Sequence, residues 1–187
     1  MTYSVDSTLA AGRADRGSPA GIVPETLTRR LHRWAALEPD RRAYTFLADG
    51  EEEQGSLTWR ELDARARAIA AALQERCAPG DRALLLCPPG LDFVVAFFAC
   101  LASGVIAVPA YPPRSARALP RLRTILEDSR PAVALAPAAA ASRIRSWFER
   151  YPELTPLPWL ATDEAPAERA DAWREPHLGG DDLAFLQ

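Results

Sequence analysis

Short apolar runs alternate with helix-like segments along most of the chain. The runs RALLLC (82–87), VIAVPA (105–110) and AVALAP (132–137) are almost continuously apolar, as in strands buried on both faces of a sheet. They recur roughly 20 to 30 residues apart, which leaves room for a crossover helix between parallel strands. The pattern predicts the α/β class, with a mainly parallel sheet covered by helices on both faces and built from βαβ units.

Helices are predicted from apolar residues at helical spacing. The clearest helix follows Thr58, which together with Glu61 makes an S/T-x-x-E capping box. An earlier helix is expected between Pro24 and Pro39, with Leu27 at the start of its apolar stripe. Further helices are expected over 91–103, from about residue 120, and around 144–151.

A hairpin is predicted near the N-terminus. The strand-like runs AYTFLA (43–48) and SLTW (56–59) are joined by the acidic segment DGEEEQG. Consecutive carboxylates in a turn point in different directions, so Glu51, Glu52 and Glu53 are interpreted as a solvated tip rather than a metal or acid/base cluster.

The N-terminal residues are expected to be less ordered than the rest of the chain. Residues 1–22 are predicted to be a flexible tail, and residues 23–187 one α/β domain. Towards the C-terminus, LPWLAT (157–162) and DLAFLQ (182–187) are predicted strands. The polar stretch at 162–182, with its prolines and glycines, is predicted to be a surface excursion.

Composition excludes several kinds of site. All 22 basic residues are arginine, so a Gly-Lys-Ser/Thr phosphate loop and a Schiff-base lysine are both excluded. A net charge of −3, with no basic patch interleaved with aromatic residues, argues against a nucleic-acid partner. His32 and His177 are interpreted as surface residues without a catalytic role, and the three cysteines as reduced thiols without a metal, because their spacing fits neither zinc nor CxxC.

One uncharged segment reaches the lower length of a membrane span. It is FVVAFFACLASGVIAVPA (93–110), but Gly104 divides it into a helix-like and a strand-like piece. No membrane span is therefore predicted. The N-terminal residues contain no apolar stretch of signal-peptide length, so a cytoplasmic location is expected.

The segment PAYPPR (109–114) is predicted to be stiff. Proline fixes its own φ and holds the preceding residue extended, so Tyr111, Pro112 and Pro113 form a step that cannot continue as helix. Two interpretations remain open at this point. The segment is either a rigid connector between strand and helix, or a pocket wall that presents Tyr111 and Arg114 at the carboxyl edge of a sheet.

The same residues resemble a known family. LTWRELDARARAIAAALQE (57–75) and GDRALLLCPPGLDFVVAFFACLASGVIAVPAYPPR (80–114) look like the opening of the adenylate-forming superfamily, and PAYPPR resembles its fatty acyl-AMP ligases. LPRLRTILEDSRPAVALA (119–136) continues the resemblance, which covers residues 24–187. It implies the incomplete large domain of an adenylate-forming enzyme of the kind that serves lipid, polyketide or peptide synthesis.

The resemblance also implies a reaction and its partners. In the intact enzyme a fatty acid carboxylate attacks the α-phosphorus of ATP, giving acyl-adenylate and pyrophosphate, and the acyl group then passes to an acyl carrier protein. ATP and Mg²⁺ are the implied cofactors of that enzyme, but this chain is expected to bind neither, since it stops before the family's Gly/Ser/Thr-rich phosphate loop. No catalytic residue is assigned, and Tyr111, Pro112 and Arg114 are the candidate substrate-binding residues near the acyl pocket.

Two alternatives stay open, and two expectations follow. The chain could be the N-terminal part of an acyl-CoA ligase, or a stand-alone, non-catalytic interaction domain. By itself it is expected to be inactive in adenylation. A strand at 182–187 that lacks its neighbours is expected to promote self-association through an exposed sheet edge.

Overall fold

The computed structural model describes residues 25–151, 154 and 157–187. The tail predicted at 1–22 lies outside these residues. The elements follow the predicted alternation, and they are α1 (Leu27–Leu37), β1 (Arg42–Ala48), β2 (Glu52–Thr58), α2 (Trp59–Gln74), β3 (Arg82–Leu85), α3 (Leu91–Ser103), β4 (Ile106–Pro109), α4 (Leu119–Ser129), β5 (Val133–Ala136), α5 (Ala138–Arg150) and β6 (Trp159–Ala161). Short 3₁₀ helices cover Ala116–Ala118 and Ala167–Ala172.

The main sheet is parallel and four-stranded, in the order β4-β3-β5-β6. Leu84 in β3 is in register with Val108 in β4 on one side and with Ala134 in β5 on the other. The strand order reverses at β3, since the chain first moves outward to β4 and then returns past β3 to β5. The predicted α/β class with a parallel sheet is confirmed.

Both faces of the sheet are buried, and side chains alternate between two cores as a period of two requires. Leu85 packs in the core that α1, α2 and α3 share, whereas Leu84 and Leu86 pack in the core beneath α4 and α5. All three side chains are fully buried. This two-sided burial explains why RALLLC is apolar without interruption.

The predicted hairpin is present, but its turn is shorter than expected. β1 and β2 pair antiparallel, and Asp49 and Gly50 have positive φ values of 49° and 84°. Positive φ at both central positions is the pattern of a type I′ turn, which matches the twist of paired strands. Glu52 and Glu53 therefore lie in β2 and not in the turn, and Glu53 pairs with Arg42 at 3.1 Å.

The capping box at the start of α2 is formed as predicted. The backbone N–H of Glu61 donates to Thr58 Oγ1 at 3.2 Å, and the backbone N–H of Thr58 donates to Glu61 Oε2 at 2.8 Å. These hydrogen bonds from Thr58 lower the pKa of Glu61, because they stabilise the charged carboxylate. α3 ends where predicted, at Gly104, whose φ of 77° suits glycine.

The stretch predicted as a surface excursion lies at the surface and also docks on the helices. We call residues 166–178 the strap. Arg169 donates to both carboxylate oxygens of Glu75 at 2.7 Å, and Gln74 makes two hydrogen bonds to the backbone of Arg174. Trp173 Nε1 donates to the carbonyl of Ala102 in α3 at 2.7 Å. The predicted surface position is confirmed, but the polar composition gave no sign of the half-buried Trp173 that anchors the strap.

His32, predicted to be a surface residue, is half-buried and has partners. Its ring lies between α1, α2 and the strap, where Nδ1 bonds Asp63 and the ring contacts that of Trp173 at a tilt of 54°, with centroids 4.8 Å apart. Asp63 is itself buried and also accepts from Arg67 Nε at 2.9 Å. The polar face of α1 is thus partly an interior face. His177 is exposed, as predicted.

The last predicted strand is reduced to one bridge. Phe185 bridges Ala107 in parallel orientation, with Ala107 N–H donating to Ala184 O at 3.1 Å and Leu186 N–H donating to Ala107 O at 2.9 Å. The segment thus runs along the outer edge of β4. Within the described ranges, no helix is long and apolar enough to cross a membrane.

Candidate functional site

A cleft of about 590 Å³ opens beyond the carboxyl ends of β3 and β4. Cys87 and Pro89, which follow β3, form one part of its wall. Pro109 to Pro112, which end and follow β4, form another. In doubly wound sheets ligands bind outside the carboxyl ends of strands, near the point where strand order reverses. The cleft has that position, and its volume is that of a small-molecule site.

Two helices and the C-terminal segment complete the cleft with apolar side chains. α3 contributes Phe93 and Phe97, which stack with centroids 6.2 Å apart. Phe185 meets Phe97 edge to face at 5.7 Å, so the bridge on β4 places an aromatic ring on the cleft wall. From the opposite side α4 contributes Leu122 and Ile125.

Few polar groups reach the cleft. Arg121, in the first turn of α4, and Gln187 belong to the lining. Burial, with smaller contributions from Asp92 and Asp163, raises the pKa of the Cys87 thiol to about 12. Cys87 therefore stays protonated at neutral pH and does not act as a nucleophile. The chemistry of the cleft is that of a binding surface for an apolar group with a cation nearby.

The structure separates the three predicted substrate-binding residues. Tyr111 and Pro112 both lie on the cleft wall, and Tyr111 is 79% exposed at its rim. Arg114 is exposed and lies outside the lining. Tyr111 and Pro112 thus occupy the position that a pocket wall requires, while their role in binding stays a prediction.

Sequence reasoning missed most of the lining. Phe97 was assigned only to a packed helix, and Arg121 and Ile125 only to an amphipathic one. A usable signal existed, since CPPG and PAYPP both follow buried strands and each leads into a helix. The first turns of those two helices must lie beside the same edge of the sheet.

The described residues do not fit ATP with Mg²⁺. Within them, no group of three His, Cys, Asp or Glu side chains is placed to hold a metal ion. The chain contains no lysine, and the CPPG turn has a single glycine and two prolines where a phosphate cradle needs successive N–H donors. No catalytic step on a nucleotide can therefore be assigned to these residues.

The sequence matches a family model and several characterised relatives. Residues 31–187 match the model described as AMP-binding enzyme. The chain is 43% identical over 166 residues to the medium-chain-fatty-acid–[acyl-carrier-protein] ligase JamA of Moorena producens, covering 87% of this chain and 28% of that protein. It is 37% identical to the long-chain-fatty-acid–AMP ligase FadD32 of Mycolicibacterium smegmatis, covering 87% of this chain and 26% of the relative.

Solved structures agree. The crystal structure of a fatty acyl-adenylate ligase from L. pneumophila, in complex with acyl adenylate and pyrophosphate, superposes with a TM-score of 0.74 at 35% identity. The match covers 86% of this chain and 27% of that one. The chain thus spans little more than a quarter of the length of the relatives that it matches.

Proposed function

Since the chain belongs to the AMP-binding enzyme family, we propose that residues 23–187 form the N-terminal α/β subdomain of the adenylation domain of a fatty acyl-AMP ligase. The subdomain precedes the phosphate-binding loop. In intact form the enzyme joins a fatty acid to ATP, giving acyl-adenylate and pyrophosphate, and passes the acyl group to an acyl carrier protein. The observation that carries this proposal is the 43% identity to a fatty-acid–[acyl-carrier-protein] ligase.

The cleft supports a role in holding the acyl chain. Its wall combines Phe93, Phe97 and Ile125 with the stiff rim at Tyr111 and Pro112. Burying a methylene from water gains about 0.8 kcal/mol, so an alkyl chain binds such a wall without polar contacts. A prolyl rim holds its shape before the ligand arrives and therefore loses little entropy on binding.

Adenylation itself is assigned to the intact enzyme and not to this chain. The displacement at the α-phosphorus relies on positioning and on cations that neutralise the developing charge. The described residues supply neither a lysine nor a metal site. We therefore expect the chain alone to exchange pyrophosphate into ATP no faster than a blank, with or without a long-chain fatty acid.

Two measurements test the proposal. Exchange clearly above the blank would refute the assignment of adenylation to the rest of the enzyme. Displacement of a fluorescent fatty acid by unlabelled fatty acids tests the cleft, where Tyr111→Ala should weaken binding about fivefold, equivalent to ~1 kcal/mol. Tyr44→Ala, an exposed tyrosine of the hairpin, is the matched control. Equal loss in both variants would exclude the cleft as the binding surface.

A second candidate is an acyl-CoA ligase. It is supported by 31% identity over 173 residues to a putative fatty-acid–CoA ligase, fadD25, of Mycobacterium tuberculosis. The two candidates differ in the final acceptor. Formation of acyl-CoA by the intact enzyme on addition of CoA would favour the second.

A further inference from the structure

Three exposed arginines follow the prolyl rim of the cleft within a short stretch of the chain. Arg114 follows the prolyl step, Arg117 lies in the 3₁₀ helix, and Arg121 lies one helical turn further on, in the cleft lining. We call these three residues the arginine patch. Their side chains make no ion pair and no hydrogen bond with any residue that the structure describes.

Among the described residues, the exposed Arg130 and Arg143 also lack such partners, so the contrast is with the arginines on the other side of the sheet. On the side that carries α1, α2 and the hairpin, exposed arginines pair with carboxylates at 2.7 to 3.8 Å, as Arg29, Arg30 and Arg65 do. The segment that carries the patch, residues 93–126, contains neither aspartate nor glutamate. Positive charge is therefore concentrated here, although the whole chain carries −3.

The patch does not stabilise the fold. Arg117 precedes α4 and Arg121 lies in its first turn, which has no acidic residue. Cations at that end of a helix oppose the helix dipole, and three neighbouring guanidinium groups repel one another. Charges that lower stability in the free protein are explained by a partner that neutralises them.

The surroundings of the patch favour a lipid surface over an acidic protein. Tyr111, 79% exposed, precedes the arginines in the chain and lines the apolar cleft together with Arg121. Tyrosine and arginine suit the boundary between water and lipid, where the ring contacts acyl chains while the guanidinium groups reach lipid phosphates. An acidic protein surface would pair with the arginines but would leave the exposed Tyr111 without an apolar partner.

We propose that the arginine patch and Tyr111 dock the protein onto an anionic phospholipid surface, with the mouth of the cleft turned towards the bilayer. An apolar substrate dissolved in the bilayer then reaches the cleft without crossing water. The proposal rests on the proposed function only for the identity of that substrate. The docking itself needs neither ATP nor a fatty acid.

Cosedimentation with vesicles tests the docking. Vesicles of phosphatidylcholine with about one third phosphatidylglycerol carry the anionic charge, and vesicles of phosphatidylcholine alone are the neutral comparison. The protein should bind the anionic vesicles, and raising the salt concentration should weaken that binding. The triple variant Arg114→Ala, Arg117→Ala, Arg121→Ala should bind about 100-fold more weakly, since each arginine near such a surface contributes about fivefold.

A matched control removes the same charge elsewhere. Arg30→Ala, Arg33→Ala, Arg60→Ala lowers the net charge equally on the opposite side, and it should retain most of the binding. Tyr111→Ala should weaken binding with little change in its salt dependence. Equal losses in the two triple variants would overturn the proposal, as would equal binding to neutral vesicles. Binding to an acidic carrier protein that depends on the patch, with no binding to vesicles, would overturn it in favour of a protein partner.

Discussion

Replacing Trp173 with phenylalanine is expected to destabilise the fold by about 1–3 kcal/mol. The last four carbonyls of a helix have no partner within the helix. In α3, the carbonyls of Cys100 and Leu101 accept from backbone N–H groups of the following turn, whereas that of Ala102 accepts from Trp173 Nε1 at 2.7 Å. Ala102 is 1% exposed, so water cannot replace the indole without opening the structure.

The expected loss of stability comes from the Ala102 carbonyl, which loses its hydrogen-bond donor, rather than from the smaller ring. Phenylalanine keeps most of the contact with His32, but a buried carbonyl without a donor costs its desolvation. For a domain of this size 1 kcal/mol shifts the melting temperature by about 2–4 °C, so a decrease of roughly 3–10 °C is expected. Urea unfolding followed by far-UV circular dichroism measures the free energy without relying on tryptophan fluorescence.

Trp147→Phe is the matched control. Trp147 stacks on Tyr151 with centroids 5.6 Å apart, and its indole N–H has no hydrogen bond to a described residue. Its replacement should cost less than about 0.5 kcal/mol. If the two variants unfold at the same urea concentration, the strap does not complete α3 and the reasoning is refuted.

Three further predictions concern a helix cap, an acid-sensitive cap and association. Asp163 Oδ1 accepts a hydrogen bond from the first backbone N–H of α5 at 2.8 Å. Asp163→Ala should therefore lower the free energy of unfolding by about 1 kcal/mol in urea titrations. Asp171→Ala, at an exposed aspartate, should leave it unchanged. Thr58 holds the pKa of Glu61 below its ordinary value. The stabilisation that this carboxylate contributes is therefore complete above its ordinary pKa, and it is lost as pH falls through the lower pKa of the folded protein. Glu61→Gln should flatten the acid side of a stability–pH curve. We expect the protein to self-associate through the sheet edge beside β4, where Phe185 is 45% exposed. Phe185→Asp should reduce the self-association measured by sedimentation equilibrium. A strictly monomeric wild type would contradict this prediction.

Local sequence rules predicted the elements well wherever a few neighbouring residues decide the outcome. α3 spans Leu91–Ser103 as expected, because glycine at 104 supplies the left-handed residue that ends a helix. The capping box of Thr58 and Glu61 depends on residues three apart, so it could be identified before any tertiary contact was known. Continuous apolar runs likewise predicted strands covered on both faces, since a core on each side removes the need for alternation.

Long-range contacts decided how the elements pack together, because periodicity carries no information about which distant residues meet. His32 has a polar neighbour in Asp63 and an aromatic one in Trp173, 31 and 141 positions away, and no local pattern shows that all three share one interior position. The strand at 182–187 was predicted from its composition, but β4 pairs with it at only one position.

The cleft shows the same division. The stiffness of its prolyl rim was predicted from the fixed φ of proline, and a pocket wall after a buried strand was one of two interpretations left open. The aromatic wall arises only when α3, α4 and the segment at Phe185 converge on one edge of the sheet. The sequence by itself thus determined the elements and the stiffness of one wall. Tertiary structure alone decided which side chains enclose the site, because that depends on the strand order β4-β3-β5-β6 and the faces on which the helices pack.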